Sequence, residues 1–203
     1  MLAGFLSFCM GRQTGLLAVM SNGDGSETPR TKIATAQANL ALALRLNSEV
    51  VTGRIRRTIY EREVAIYTGG TGIVLPREFG ASAEDLRNGT FNLVIMALGA
   101  SALTTDETLD EVFGKHSIDS SQERQGLRVL VNQLRNAFAH NPWRPKWTIW
   151  PKYRAIHTVK LGEYFSYKFD ATALNGEGVK PEDVGGLETW IKVLKHCESI
   201  VPE

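Results

Sequence analysis

Apolar and polar positions alternate along most of this chain with the period of an α-helix, and in one short stretch with the period of a β-strand. Ile33, Leu40 and Leu44 recur near helical spacing after Pro29, whose missing N–H costs nothing in a first helical turn. Val51, Ile55, Ile59 and Ile66 extend a similar stripe, which predicts one long helix or two consecutive ones, with Gly53 as the weak point. Ser82, followed by Glu84 and Asp85, reads as an N-cap with a charge-complemented first turn. The helix it opens runs through residues 91–103 (FNLVIMALGASAL). That run is apolar on nearly every face and is therefore expected to be the central buried helix. Gly99, Ala100 and Ser101 would admit a close neighbour, and Asp106 to Phe113 adds a short amphipathic turn or helix.

Ser120 and Glu123 fit a capping box for the next helix, whose Leu127, Leu130, Val131, Leu134 and Phe138 share one face. Asn141 precedes Pro142 and is biased out of the α region, so this helix should stop near His140. Beyond it the period changes to two. Phe165, Tyr167 and Phe169 alternate with polar residues as a half-buried strand, pairing with residues 153–160 through a turn at Gly162. Gly185-Gly186 then releases a last helix with Leu187, Trp190, Ile191 and Leu194 on its inner face. The expected fold is mostly α, a helical bundle at 29–203 with a small antiparallel β-hairpin inserted before the last helix, the insertion spanning about 150–172.

Composition narrows the function classes. The 203 residues are 43% hydrophobic and 22% charged, enough for a real core in one domain. A formal net charge of +1 gives no global field for nucleic acid, so any RNA contact must come from local patches. Cys9 and Cys197 make no disulfide framework, which suggests a cytoplasmic chain. Residues 1–20 are apolar but lack a basic leading region and are interrupted by Arg12. With the linker-like SNGDGSET after them, they read as a flexible N-terminal segment, 1–28, with no membrane role; a membrane tether is the alternative, and Met10 and Met20 offer later starts.

Residues 135–140 read Arg-Asn-Ala-Phe-Ala-His, at the end of an amphipathic helix closed by a proline. A guanidinium grips phosphate through a planar fork of donors, and an imidazole moves protons near neutral pH. In a phosphodiester cleavage His140 would take the 2′-hydroxyl proton or protonate the leaving 5′-oxygen. Arg135 would stabilise charge on the phosphoryl oxygens, and Asn136 would orient imidazole or phosphate. The ordinary reading is that Arg135 binds carbonyls or a carboxylate and His140 caps the helix end. Arg124, Arg128 and Arg135 share one arc, either a phosphate track or an edge with carboxylate partners. Arg144 and Lys146 lie among Trp143, Trp147 and Trp150, a stretch suited to stacking bases or to packing a small sheet. Thr68 to Gly72 (TGGTG) lacks the strand and Gly-Lys-Ser/Thr of a phosphate loop and reads as a loop. His116, His140, His157 and His196 have no ligand spacing of a recognised type, so neither metal nor cofactor is expected.

With its polar neighbour and closing proline, the Arg-x4-His phrase within LRNAFAHNPW resembles the HEPN superfamily, tightly over residues 120–142. The resemblance implies a HEPN-like bundle forming a symmetric homodimer, in which two such motifs meet and cut RNA without metal, leaving a 2′,3′-cyclic phosphate. It further implies a toxin or defence effector, with an antitoxin or regulatory partner, or alternatively a non-catalytic interaction or sensing module. One geometric point favours a dimer: residues five apart on a helix differ by about 140° in direction, so Arg135 and His140 diverge within one chain.

Overall fold

Helix α1, Pro29–Val51, starts where the Thr28 side chain accepts a hydrogen bond from Thr31 N at 3.2 Å, and proline takes the first helical position. The computed structural model describes residues 27–55, 64–68, 71–75, 82–117, 119–163 and 165–203. One face of α1 buries Ile33, Ala36, Leu40, Ala43 and Val50. The helix ends beside Gly53, which turns the chain at φ +70°. The apolar stripe therefore does not continue as helix. Val64–Thr68 (β1) and Thr71–Leu75 (β2) form an antiparallel hairpin with Thr68 opposite Thr71, so Ile66 belongs to a strand; Ile59 lies outside the described residues. A run rich in β-branched residues on each side of Gly69-Gly70 overrides the helical spacing.

Helix α2, Ala83–Phe113, begins at Ser82, whose hydroxyl accepts from Asp85 N at 2.9 Å. It is continuous, so the separate element expected at Asp106 to Phe113 is its last turns. Nor is it buried all round: Leu93, Met96 and Leu103 are exposed. Their spacing places them on one face, while α1 and α3 pack on the other.

The central helix is instead α3, Gln122–Ala139, in which every residue from Gly126 to Leu134 is buried. Its N-cap is Ser121, one residue later than expected, bonded by Arg124 N at 3.3 Å. Glu123 thus sits in the first turn rather than closing a box. Its C-cap is His140, as Asn141-Pro142 requires. Helix α2 packs on one side of α3, with Phe138 against Gly99, where a Cβ would collide with the ring. Strand β3 packs on another side, so close that a side chain at Gly126 would overlap the Thr158 carbonyl.

Strands β3, Ile156–Lys160, and β4, Ser166–Asp170, pair antiparallel with Lys160 opposite Ser166. The alternation buries Val159 and Phe169. Gly185 and Gly186, at φ +79° and +89°, lead into helix α4, Leu187–Ile200. Trp190, Val193, Leu194 and Cys197 form its buried face, with Leu187 and Ile191 half-buried. Trp190 Nε1 donates to Ser101 Oγ at 3.0 Å, a second use of the small-residue stretch on α2. The architecture is mostly helical, with a small antiparallel hairpin before the last helix. No described helix is long and apolar enough to cross a membrane.

Candidate functional site

The second half of α3 carries a polar stripe, Asn132, Gln133 and Asn136, toward a cavity of about 460 Å³. The stripe survives inside the protein because its members bond one another. Asn132 Nδ2 donates to Asp106 Oδ2 at 3.1 Å, and Asn132 Oδ1 accepts from Gln133 Nε2 and Asn136 Nδ2, each at 3.1 Å. Asn136 Oδ1 in turn accepts from Arg135 Nη1 at 3.0 Å. Arg135 Nε lies 4.0 Å from Asp106 Oδ2, and the Arg135 side chain is 37% exposed. Burial pushes the Asp106 carboxyl up to about 6, and the charge of Asp110 adds to it, against the pull of the Asn132 hydrogen bond and of Arg135 and Arg128.

The chain reverses after His140 because Asn141 Oδ1 accepts from the backbone N–H groups of Trp143 and Arg144, each at 3.1 Å. It then runs extended, with alternate residues anchored. Trp147 exchanges backbone hydrogen bonds with Gly176 and Glu177, at 2.8 Å each, and its indole donates to Asp183 at 2.8 Å. Ile149 N donates to Asn175 Oδ1 at 3.0 Å. With Trp147 and Ile149 buried, the alternation turns Thr148 and Trp150 outward, and both line the cavity. Trp150 is 63% exposed and Trp147 only 1%, so the aromatic stretch divides between packing and a free indole face.

His140 lines this cavity from the C-cap of α3, and His116 from the loop after α2. His116 Nε2 is 2.8 Å from Tyr153 Oη, and the rings lie 5.6 Å apart. Burial holds the His116 imidazole below its usual range; the Asp110 charge opposes this, and the charges of Arg128 and Lys152 reinforce it. Lys152 Nζ sits 4.8 Å from the Tyr153 ring centre at the same cavity. A second cavity of about 450 Å³ adjoins, lined by Arg144, Lys146 and Asn141 and sharing His140 and Thr148 with the first.

The structure thus brings Asn136 and His140 to one cavity and joins Arg135 to it through Asn136, without Arg135 itself lining the cavity. Arg144 and Lys146 border His140 from the adjoining cavity. Arg124 and Arg128 do not form a phosphate track. Arg128 is 1% exposed and bonds Asp119, Asp110 and the Gly114 carbonyl; Arg124 forks onto Asp119 and stacks over Phe113. Of the two alternatives, the carboxylate partners hold for these arginines. Burial raises the Asp119 carboxyl, but hydrogen bonds from Arg124 and the Ser121 amide, with the charges of both arginines, outweigh it and keep the group below the usual range. His116 and Asp106 had no motif to reveal them; Trp150, Lys152 and Tyr153 stood out only as part of an aromatic and basic stretch. Among the described residues no three His, Cys, Asp or Glu side chains converge as a metal would require.

Comparison of the chain with protein-family models, with curated proteins and with solved structures finds no significant match.

Proposed function

We propose that the chain is a metal-independent endoribonuclease of HEPN type, acting as a cytoplasmic homodimer and serving as a toxin or defence effector held in check by an antitoxin or regulatory partner. The observation that carries this reading is the shared cavity. His140 and Asn136 line it together, and Arg135 is hydrogen-bonded to that same asparagine. In the proposed reaction an imidazole takes the proton of a ribose 2′-hydroxyl, and the 2′-oxygen bonds to the adjacent phosphorus. The P–O5′ bond then breaks, the 5′-oxygen receives a proton, and a 2′,3′-cyclic phosphate remains. His140 serves one proton transfer, and the same imidazole of a second copy serves the other. The Arg135 guanidinium, anchored at one nitrogen and exposed over a third of its side chain, stabilises the phosphoryl charge. Arg144 and Lys146 hold flanking phosphates.

Incubation of the purified chain with mixed RNAs in EDTA tests this. Cleavage to cyclic-phosphate ends is expected, with His140→Ala and Arg135→Ala abolishing it while circular dichroism and oligomeric state persist. Expression of the wild type should arrest growth and degrade cellular RNA, and neither variant should. One observation favours a second reading, a non-catalytic interaction module: Arg135 also approaches Asp106, as a structural arginine would. In that case the wild type cuts no RNA and His140→Ala loosens the dimer.

A further inference from the structure

The cavity beside His140 has a wall whose hydrogen bonding leaves the Gln133 carbonyl without a donor, as it leaves Asp106 Oδ1 at the far end of the same network. An ionised carboxylate only accepts, so Asp106 fixes Asn132 with its amide nitrogen toward Oδ2, at 3.1 Å. Asn132 Oδ1 must then take the amide nitrogens of Gln133 and Asn136. Asn136 Oδ1 is satisfied by Arg135. The orientation of each amide follows from the last, and Gln133 Oε1 ends the chain with no partner among the described residues. Gln133 is fully buried and lines the cavity. A buried carbonyl without a donor is rare in folded proteins and calls for one.

The opposite character stands at the rim. Trp150 exposes most of its indole, between buried Ile149 and exposed Pro151 at the start of a short 3-10 turn. An exposed indole face beside a carboxamide wall matches a flat, polar-edged ring better than an aliphatic ligand: the face stacks, and the edge bonds the amide. The cavity's volume of about 460 Å³ falls within the roughly 300–1,000 Å³ of small-molecule pockets. Lys152 stands at this cavity over the Tyr153 ring, and two further cations, Arg144 and Lys146, line the adjoining cavity that shares His140.

We propose that this cavity is a nucleobase subsite. An unstacked base of single-stranded RNA lies against Trp150 with an N–H donor on Gln133 Oε1, so that its own phosphodiester reaches His140 and the neighbouring phosphate reaches Arg144 and Lys146. This rests on the RNA reading above and adds to it a base preference at the cut.

Nucleoside 5′-monophosphates contain no scissile phosphodiester, so binding is read apart from cleavage. The full chain is titrated with AMP, CMP, GMP and UMP to millimolar concentration by NMR, with ribose 5-phosphate as the base-free control. The expected result is one base, or one pair of bases, bound at least tenfold more tightly than the others and than the control. Trp150→Ala, at an exposed position, and Gln133→Leu should each cost about tenfold, with Gln133→Glu, which keeps an acceptor, weakened less than Gln133→Leu. Base-independent binding matched by ribose 5-phosphate overturns the subsite, as does absence of binding, or binding unchanged in Trp150→Ala. If RNA is cut in EDTA without base preference, the subsite fails and the ribonuclease reading stands. If nucleotides bind selectively and no RNA is cut, the subsite stands and the ribonuclease reading fails.

Discussion

The two halves of α3 carry the same kinds of residue to opposite ends. Near its start, Arg124 and Arg128 meet Asp119 and Asp110, so that Arg128 is buried and closed to any ligand and the Arg124 fork is taken up by a carboxylate. Near its finish, Arg135 has one hydrogen bond, a carboxylate only at 4.0 Å, and a third of its side chain in solvent. The difference lies in what the last turn of α2 and the loop after it supply. Residues 110–119 bring two carboxylates and the Gly114 carbonyl to the first half and none to the second. Whether an arginine on a helix is free to bind phosphate is decided by the carboxylates that tertiary structure delivers, not by the arc it occupies.

The comparison breaks most sharply at Arg128. Arg128→Met keeps the volume but leaves Asp119, whose side chain is 3% exposed, without its buried partner. Loss of one partner from a buried ion pair costs about 3–5 kcal/mol, whereas Arg135→Ala should cost no more than about 1 kcal/mol. Chemical denaturation of the two variants checks this, and equal losses would erase the distinction between the halves. Next in size is His140→Ala. Its cleavage rate should fall at least about a hundredfold, the usual scale for a lost acid–base group, with stability within about 0.5 kcal/mol because the side chain is exposed.

The same contrast explains how far the sequence could be read. The finish of α3 was legible because its signals are local: a periodic apolar face from Leu127 to Phe138, a polar neighbour to the arginine, and a proline that stops the helix. The cavity around it was not. His116 comes from the loop after α2, and Tyr153 and Trp150 from the segment that the anchoring of Trp147 and Ile149 holds in place. The start of α3 could not be decided for the matching reason, since spacing along the helix says nothing of Asp110 and Asp119 across from it. The hairpin at 156–170 was legible from strict alternation. The hairpin at 64–75 was hidden because Ile66 falls in step with a helical stripe. Helix α2 was misjudged because an apolar run reports its own surface, not how many neighbours cover it; Leu93, Met96 and Leu103 stayed outside.

The two halves should also respond oppositely to pH. Burial raises the folded-state carboxyl of Asp106 to about 6, above its unfolded value of about 3.9. A raised carboxyl binds its proton more tightly when folded. Its contribution is therefore fully present below the unfolded value and is lost as pH rises through about 6. Asp106→Asn should remove that slope while the amide chain keeps an acceptor for Asn132. Between about pH 4 and pH 8, the wild type should lose about 2 kcal/mol more stability than the variant, measured by urea unfolding at each pH. Parallel curves would mean that Asp106 is charged throughout and that solvent or Arg135 compensates it.

The smallest effect belongs to Arg124, and it tests whether the first half of α3 has one anchor or two. Arg124 Nε and Nη2 meet the two oxygens of Asp119 at 3.1 and 3.0 Å, but a third of its side chain remains in solvent, where screening and entropy reduce the gain. Arg124→Ala should therefore cost about 1 kcal/mol at neutral pH, since Arg128 still neutralises Asp119. The sign in acid is opposite to that at Asp106. Asp119 sits below its usual range when folded, so its contribution is present above the unfolded value and disappears as pH falls through the lowered one. Without Arg124 the folded carboxyl moves back toward its ordinary value, and the gap between wild type and variant should narrow steadily as the solution is acidified. A gap that equals the Arg128 loss, or that holds constant into acid, would mean that Arg124 rather than the buried Arg128 keeps this end of the helix closed to ligands.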